Sequence, residues 1–218
     1  MEPFNLLIAL LPLAAYLTFF GANRLMGRPM VTTGGRDIFA LAIAISGLVA
    51  VGPAELFFPV PAATALGAAI WPVLAVLYLL IVLLVMLSFR PRLIVYGRGP
   101  VTVTGPLLRA AQALDPRARA DEAAGCIELP DLRLHLRIEG TRSSDAAEIF
   151  VFENGVTPSF WNRLLAALRV ELAREEPASP RSGAVSFALG IAMLGFLSLK
   201  LFVAYDQVVQ GFQEWLWR

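Results

Sequence analysis

Long runs of hydrophobic residues alternate with shorter polar stretches along the chain. Four of these runs are long enough to cross a bilayer as a helix, which takes roughly 20 residues. They cover about residues 4–22, 37–58, 66–89 and 183–205, and the most apolar stretch, LAVLYLLIVLLVML, lies in the third. The pattern predicts four transmembrane helices. We expect the first run to remain as a transmembrane helix rather than to be cleaved as a signal peptide, because Glu2 precedes it and no basic residue does.

The stretch between the third and fourth runs has the shorter periodicities of a water-soluble domain. Residues 132–139 alternate between aliphatic and polar side chains, which is typical of a strand with one buried face. Thr104 is predicted to cap one helix, and Thr157, followed by Pro158, another. The predicted order is strand, helix, three strands, helix, over residues 92–97, 104–114, 126–129, 132–139, 148–153 and 158–174.

This order predicts a small α+β domain, with helices on one face of a mostly antiparallel sheet. The chain then divides into three transmembrane helices over residues 1–89, the α+β domain over 90–182, and the fourth helix with a C-terminal tail over 183–218. Asp37 is predicted to cap the second transmembrane helix, whose far end Pro53 and Glu55 interrupt.

The amino-acid composition supports a membrane protein and excludes several kinds of functional site. Of the 218 residues, 57% are hydrophobic and 16% charged, against about 25% charged in soluble domains. Cys126 and His135 are the only residues of their types, so the chain can form neither an internal disulfide nor a zinc site of several Cys and His. Phosphate-loop, zinc-protease and nucleophile-elbow motifs are absent from the sequence, which predicts no catalytic residue, metal or cofactor.

The basic residues are distributed very unevenly. With four spans, sixteen of the eighteen fall on one side, and only Lys200 and Arg218 do not. Basic residues concentrate in cytoplasmic loops. We therefore expect residues 90–182 in the cytoplasm and both termini outside, in a bacterial inner membrane. The 90–182 segment carries 13 Arg against 12 acidic residues, so nucleic acid is not an expected partner.

Arg133, His135 and Arg137 share the polar face of one predicted strand. They form the best candidate patch for an anion, a lipid phosphate or an acidic partner. The competing interpretation is a solvated face balanced by nearby glutamates. His135 itself is either a proton-transfer group or a solvated strand residue, and Cys126 is expected to be a buried structural thiol.

Glu55 and Lys200 are the unusual charges within the apolar runs. Each lies 19 residues after the basic residue that precedes its run, Arg36 or Arg181. At about 1.5 Å per residue, both reach the same depth, so they are a candidate ion pair. The alternatives are snorkelling to the headgroups or a functional role. Trp215 and Trp217 are predicted interfacial anchors, or else part of a docking peptide.

The segments VGPAELFFP (51–59) and RPRLIVYG (90–97) resemble parts of uncharacterised bacterial multipass membrane proteins that combine a helical hairpin with a small α+β domain. The resemblance implies an architecture and no activity. Three functions remain open. The first is a scaffold or accessory protein, homo-oligomeric or bound to a protein partner. The second is a sensor or headgroup binder using the Arg133/His135/Arg137 face, and the third an enzyme or carrier using Glu55 and Lys200.

Overall fold

The structure is a computed structural model, and it describes residues 3–27, 29–52, 67–121, 125–141, 145–153, 155–175 and 181–217. The elements in chain order are α1 (Pro3–Leu25), β1 (Met30–Thr33), α2 (Gly34–Val51), α3 (Ile70–Ser88), β2 (Arg92–Tyr96), α4 (Pro100–Gln112), β3 (Arg119–Asp121), β4 (Cys126–Leu129), β5 (Leu134–Glu139), β6 (Ala146–Val151), α5 (Pro158–Ala173), α6 (Arg181–Val203) and α7 (Tyr205–Trp217).

The chain forms two compact units. The helical unit comprises Met1–Ala22, Ile38–Ser88 and Val185–Arg218, and the sheet unit comprises Asn23–Asp37 and Phe89–Ala184. The sheet unit therefore contains the connection between the first two long helices as well as the whole segment predicted as the soluble domain, residues 90–182. This connection contributes strand β1, which the sequence pattern did not indicate.

Among the described residues, four helices are long and apolar enough to cross a membrane: Pro3–Leu25, Gly34–Val51, Ile70–Ser88 and Gly183–Val203. They match the four predicted runs, although the predicted far end of the second run lies outside the described residues. The prediction that Asp37 caps α2 is wrong. The helix follows β1 directly and begins at Gly34, which places Asp37 in its first turn. There the Asp37 carboxylate accepts a hydrogen bond from the Tyr96 hydroxyl at 2.8 Å.

Small residues let the helices of the helical unit approach closely. A Cβ added to Gly190 of α6 would lie 2.6 Å from the backbone nitrogen of Thr18 in α1. A Cβ on Gly21 would overlap the backbone of Phe187, and one on Gly47 of α2 would overlap the carbonyl of Ile8. Helix α1 thus packs against both α2 and α6 through glycine contacts, the usual device for packing membrane helices.

The described part of the sheet unit forms a six-stranded sheet, in the order β1-β2-β6-β5-β4-β3. Every neighbouring pair of strands is antiparallel. Helices α4 and α5 cover one face, and apolar side chains fill the core between the helices and the sheet. Its completely buried side chains include Leu93, Leu136 and Ile149 from the sheet and Leu107, Leu164 and Leu168 from the helices.

The predicted α+β arrangement is present, with local differences in the bounds of its elements. Strand β6 covers Ala146–Val151, two residues earlier at both ends than the predicted 148–153. Helix α4 begins at Pro100 after Gly99, rather than after Thr104, because proline fits the first helical turn without losing a hydrogen bond. Strand β3 adds a sixth strand, too short to show a periodicity. Strand β5 begins at Leu134 because Arg133 turns the chain with φ 53°. The Thr157–Pro158 start of α5 is confirmed.

Candidate functional site

The face of the sheet opposite α4 and α5, hereafter the outer sheet face, carries several charged and aromatic side chains. Alternation along each strand puts Leu93, Leu136 and Ile149 into the core and sends their neighbours to this face. The strand register then brings three strands together, since Phe150 of β6 lies opposite both Arg92 of β2 and Arg137 of β5. The face is therefore a mosaic of charged and aromatic side chains.

His135 and Glu153 form the closest polar contact on this face. The His135 ring Nδ1 lies 2.5 Å from Glu153 Oε1, and the His135 backbone N–H donates to Glu153 Oε2 at 3.1 Å. Partial burial raises the pKa of the Glu153 carboxyl. The two hydrogen bonds from His135 act in the opposite direction, and the pKa of Glu153 falls below its usual 4.5. Glu153 is thus held as a carboxylate beside the ring.

Arg137 and Phe152 form the second cluster on the outer sheet face. The Arg137 guanidinium lies over the Phe152 ring, 5.5 Å from its centroid, in a cation–π arrangement. The Phe150 ring meets the Phe152 ring edge to face, with centroids 5.8 Å apart. Phe152 is nevertheless 50% exposed. An exposed aromatic ring is thus held in place by an arginine and a second ring.

Carboxylates accompany the cations of this face. Arg137 Nε lies 3.4 Å from Glu139, Arg92 is 2.9 Å from Glu148, and Arg119 is 2.8 Å from Glu128. The face therefore presents paired charges rather than a block of positive charge. This arrangement suits a partner with its own mixed charges better than a purely anionic ligand.

The structure divides the patch that the sequence predicted. His135 and Arg137 share the outer sheet face, two residues apart on β5. Arg133 lies before the strand, in the turn. Glu153 and Phe152 were not predicted as site residues. Continuing the alternation of β6 would have placed Phe152 on this face. The approach of Glu153 to His135 has no sequence signal, because it depends on the chain turning after Val151.

Cys126 is buried on β4, where the strand register places it between Asp121 of β3 and Arg137 of β5. Burial raises the pKa of its thiol, and the nearby Asp121 and Glu128 carboxylates raise it further. A thiol in this environment stays protonated at neutral pH and is a poor nucleophile. Within the described ranges, no group of three or more His, Cys, Asp or Glu residues is placed to hold a metal ion.

The remaining predicted residues lie in the helical unit. Lys200 is exposed on α6, and its ammonium lies 5.8 Å from the centroid of the Phe196 ring. Glu55 lies outside the described residues, so the Glu55–Lys200 pair stays a prediction. The backbone of Trp215 and Trp217 is part of α7, and the structure does not describe their side chains. Helix α7 is separate from α6, with the boundary at Ala204.

Comparisons with protein-family models, with curated proteins and with solved structures find no match.

Proposed function

We propose that this protein is an integral membrane scaffold or accessory protein whose sheet unit binds a protein partner through the outer sheet face. The observation that carries the proposal is the Arg137–Phe152 pair. Arginine and aromatic residues dominate the energetic centres of protein interfaces. Phe152 is half exposed, and Arg137 and Phe150 already hold its ring in place, so little side-chain freedom is lost when a partner covers it.

The membrane part of the proposal rests on the four long apolar helices. Their exposed side chains include Leu84 at 65%, Leu87 at 75% and Phe202 at 86%. An apolar surface of this extent on helices of membrane-spanning length supports an environment of acyl chains rather than water. The skewed distribution of basic residues supports a bacterial inner membrane with the sheet unit in the cytoplasm and both termini outside.

The paired charges favour a protein over the alternative of a lipid headgroup or a free anion. An anion at the outer sheet face would compete with Glu139 for Arg137 and with Glu153 for His135. A protein surface with charges of both signs can extend these pairs without breaking them, and it can cover Phe152 with apolar groups. The same near-neutral balance argues against nucleic acid, which needs a concentrated basic surface.

The proposal is tested by site-specific photo-crosslinking of the full-length protein in its native membrane. A photoreactive amino acid replaces Phe152 in one variant and Val170 in the control. Val170 is 55% exposed but lies on α5, away from the outer sheet face. We expect one protein adduct of defined mass from position 152 and none from 170. If the partner binds this face, the adduct from position 152 should weaken when Arg137→Ala is introduced into the same variant.

Two outcomes contradict the proposal. Equal adducts from positions 152 and 170 would show that the outer sheet face has no preferred protein partner. A lipid adduct at 152 without a protein adduct would support the headgroup-binding alternative instead. Arg137→Ala is expected to leave the fold intact because the Arg137 side chain is 46% exposed.

A further inference from the structure

A cavity of about 720 Å³ lies within the helical unit. Four helices contribute to its wall: α1, α2, α3 and α7. Phe212 of α7 and Phe4 of α1 meet edge to face on this wall, with ring centroids 6.1 Å apart. Most of the other lining side chains are aliphatic, among them Leu7, Val49, Ala50, Leu74 and Ala75. The volume is that of a site for a small organic molecule, which is roughly 300–1,000 Å³.

The two hydroxyl groups on the wall are already engaged by the protein. The Tyr78 hydroxyl donates to the Ala42 carbonyl at 2.6 Å, and the Ser46 hydroxyl donates to the Ile43 carbonyl at 2.8 Å. An ordered water needs about two to four polar partners, and apolar cavities stay dry and take up apolar ligands. The Trp71 indole also lines the cavity, but the wall as a whole is predominantly apolar and therefore favours an apolar occupant over water.

The cavity wall continues onto the outside of α3. Ala75, which lines the cavity, is itself exposed, and Leu79 lies one turn further along the same helix with 53% of its surface exposed. Val76 and Leu80, at 56% and 57%, extend this apolar surface. Helix α3 is one of the helices long enough to cross a membrane. In a bilayer, acyl chains would cover this surface of α3 and could enter the cavity sideways.

We infer that this cavity binds one acyl chain of a membrane lipid. The lipid headgroup stays at the membrane surface, while the chain fills the space between Ala50, Ala75 and the Phe4–Phe212 pair. An acyl chain in the cavity supplies the van der Waals contacts that the lining side chains would lack around an empty space of this size. This inference is independent of the proposed partner of the outer sheet face.

Photo-labelling in bilayers tests the inference. The purified full-length protein is placed in nanodiscs containing phosphatidylethanolamine with a diazirine at the end of one acyl chain. We expect labelled peptides to come mainly from the cavity walls of α2 and α3, around Ala50 and Ala75. Ala75→Phe places a ring in the cavity and should reduce this labelling several-fold. The matched control Ala188→Phe adds the same ring on the exposed surface of α6 and should change nothing.

A second measurement covers the case in which Ala75→Phe fails to fold. Ala50→Leu fills less of the cavity than Ala75→Phe does. In detergent, adding phosphatidylethanolamine should raise the melting temperature of the natural protein more than it raises the melting temperature of Ala50→Leu. Labels spread evenly over the exposed helices and insensitive to Ala75→Phe would show ordinary annular lipid and overturn the inference. Cross-links to a second copy of the chain at Ala75 would also overturn it.

Discussion

The carboxylate of Glu153 contacts His135 at two points. One oxygen lies 2.5 Å from the ring Nδ1 and the other accepts the backbone N–H of His135 at 3.1 Å. The contact joins β5 to the residues that follow β6 and holds the Glu153 side chain at the border of the outer sheet face. Because one bond is to the backbone, replacing the imidazole removes only part of the contact.

The Glu153 contact predicts a pH-dependent contribution to stability. Since the pKa of Glu153 is lower in the folded protein than its usual 4.5, this contribution is complete above pH 4.5 and is lost as the pH falls through the folded-state value. The side chains are 47% and 30% exposed, so we expect less than about 1 kcal/mol. Thermal melts of the full-length protein should show a smaller loss between pH 5 and about pH 3 for Glu153→Gln than for the natural protein. An identical pH profile would contradict the prediction.

His135→Ala is expected to be mild. It removes the ring contact but keeps the backbone N–H that donates to Glu153 Oε2. A partly exposed pair of this kind contributes at most about 1 kcal/mol. The melting temperature should therefore fall slightly. A loss of cellular function with no loss of folding would instead assign His135 a functional role.

Asp115 is predicted to be the most sensitive polar side chain of the sheet unit. Its carboxylate is 1% exposed and accepts the backbone N–H groups of Arg117 and Asp131, both at 2.9 Å. It thereby joins the turn after α4 to the turn between β4 and β5. Asp115→Ala leaves both donors without this partner and should cost about 1–3 kcal/mol.

Hydrogen exchange of the β4 and β5 amides measures the Asp115 effect within the sheet unit. Asp131→Ala is the matched control, since its side chain makes only an exposed ion pair with Arg117 at 3.3 Å. The control should change stability by less than about 0.5 kcal/mol. Equal acceleration of exchange in the two variants would show that the buried carboxylate is not the stabilising group.

The α1–α6 contact predicts that two glycines of one helix respond differently to alanine. Gly190→Ala would bring a methyl group within 2.6 Å of the Thr18 backbone nitrogen, whereas a Cβ at Gly195 meets nothing within 4 Å. We expect Gly190→Ala to cost about 1–3 kcal/mol by overpacking. Gly195→Ala should be neutral or slightly stabilising.

Melting temperatures in detergent compare the two glycine variants. Adding Thr18→Ala should not rescue Gly190→Ala, because the clash includes the Thr18 backbone. Full rescue, or equal behaviour of the two glycine variants, would mean that α1 and α6 do not approach closely at this point.

The Glu55–Lys200 pair predicted from sequence is tested by a double-mutant cycle. If the charges pair, Glu55→Gln and Lys200→Met each leave an unpaired charge within the membrane, and the double variant is more stable than either single one. Losses that simply add would show that the residues do not interact. Lys200 would then be left with its contact to the Phe196 ring.

Reporter fusions test the proposed topology. Alkaline phosphatase fused after Gly140, between β5 and β6, should be inactive because the sheet unit is expected in the cytoplasm. Fusion after Arg218 should be active. The reverse pattern would invert the orientation, and it would move the outer sheet face to the other side of the membrane.

Features that depend on neighbouring residues could be predicted from the sequence. The long helices follow from uninterrupted apolar runs, and the start of α5 follows from Thr157 and Pro158. The alternation in β5 placed Leu134, Leu136 and Ile138 toward the core and His135 and Arg137 on the opposite face. In each case the signal lies within a few residues of the element that it specifies.

Features that join distant parts of the chain could not be predicted from the sequence. Strand β1 is four residues long, and it exists because Met30–Thr33 pair with residues of β2 that lie 60 to 66 positions later. The Glu153–His135 contact and the buried Asp115 depend in the same way on which turns meet. Strand pairing and side-chain contacts of this kind are set by register and packing. The helices and the α+β class are therefore predictable from the sequence, whereas the contacts between strands and turns on the outer sheet face depend on the folded sheet.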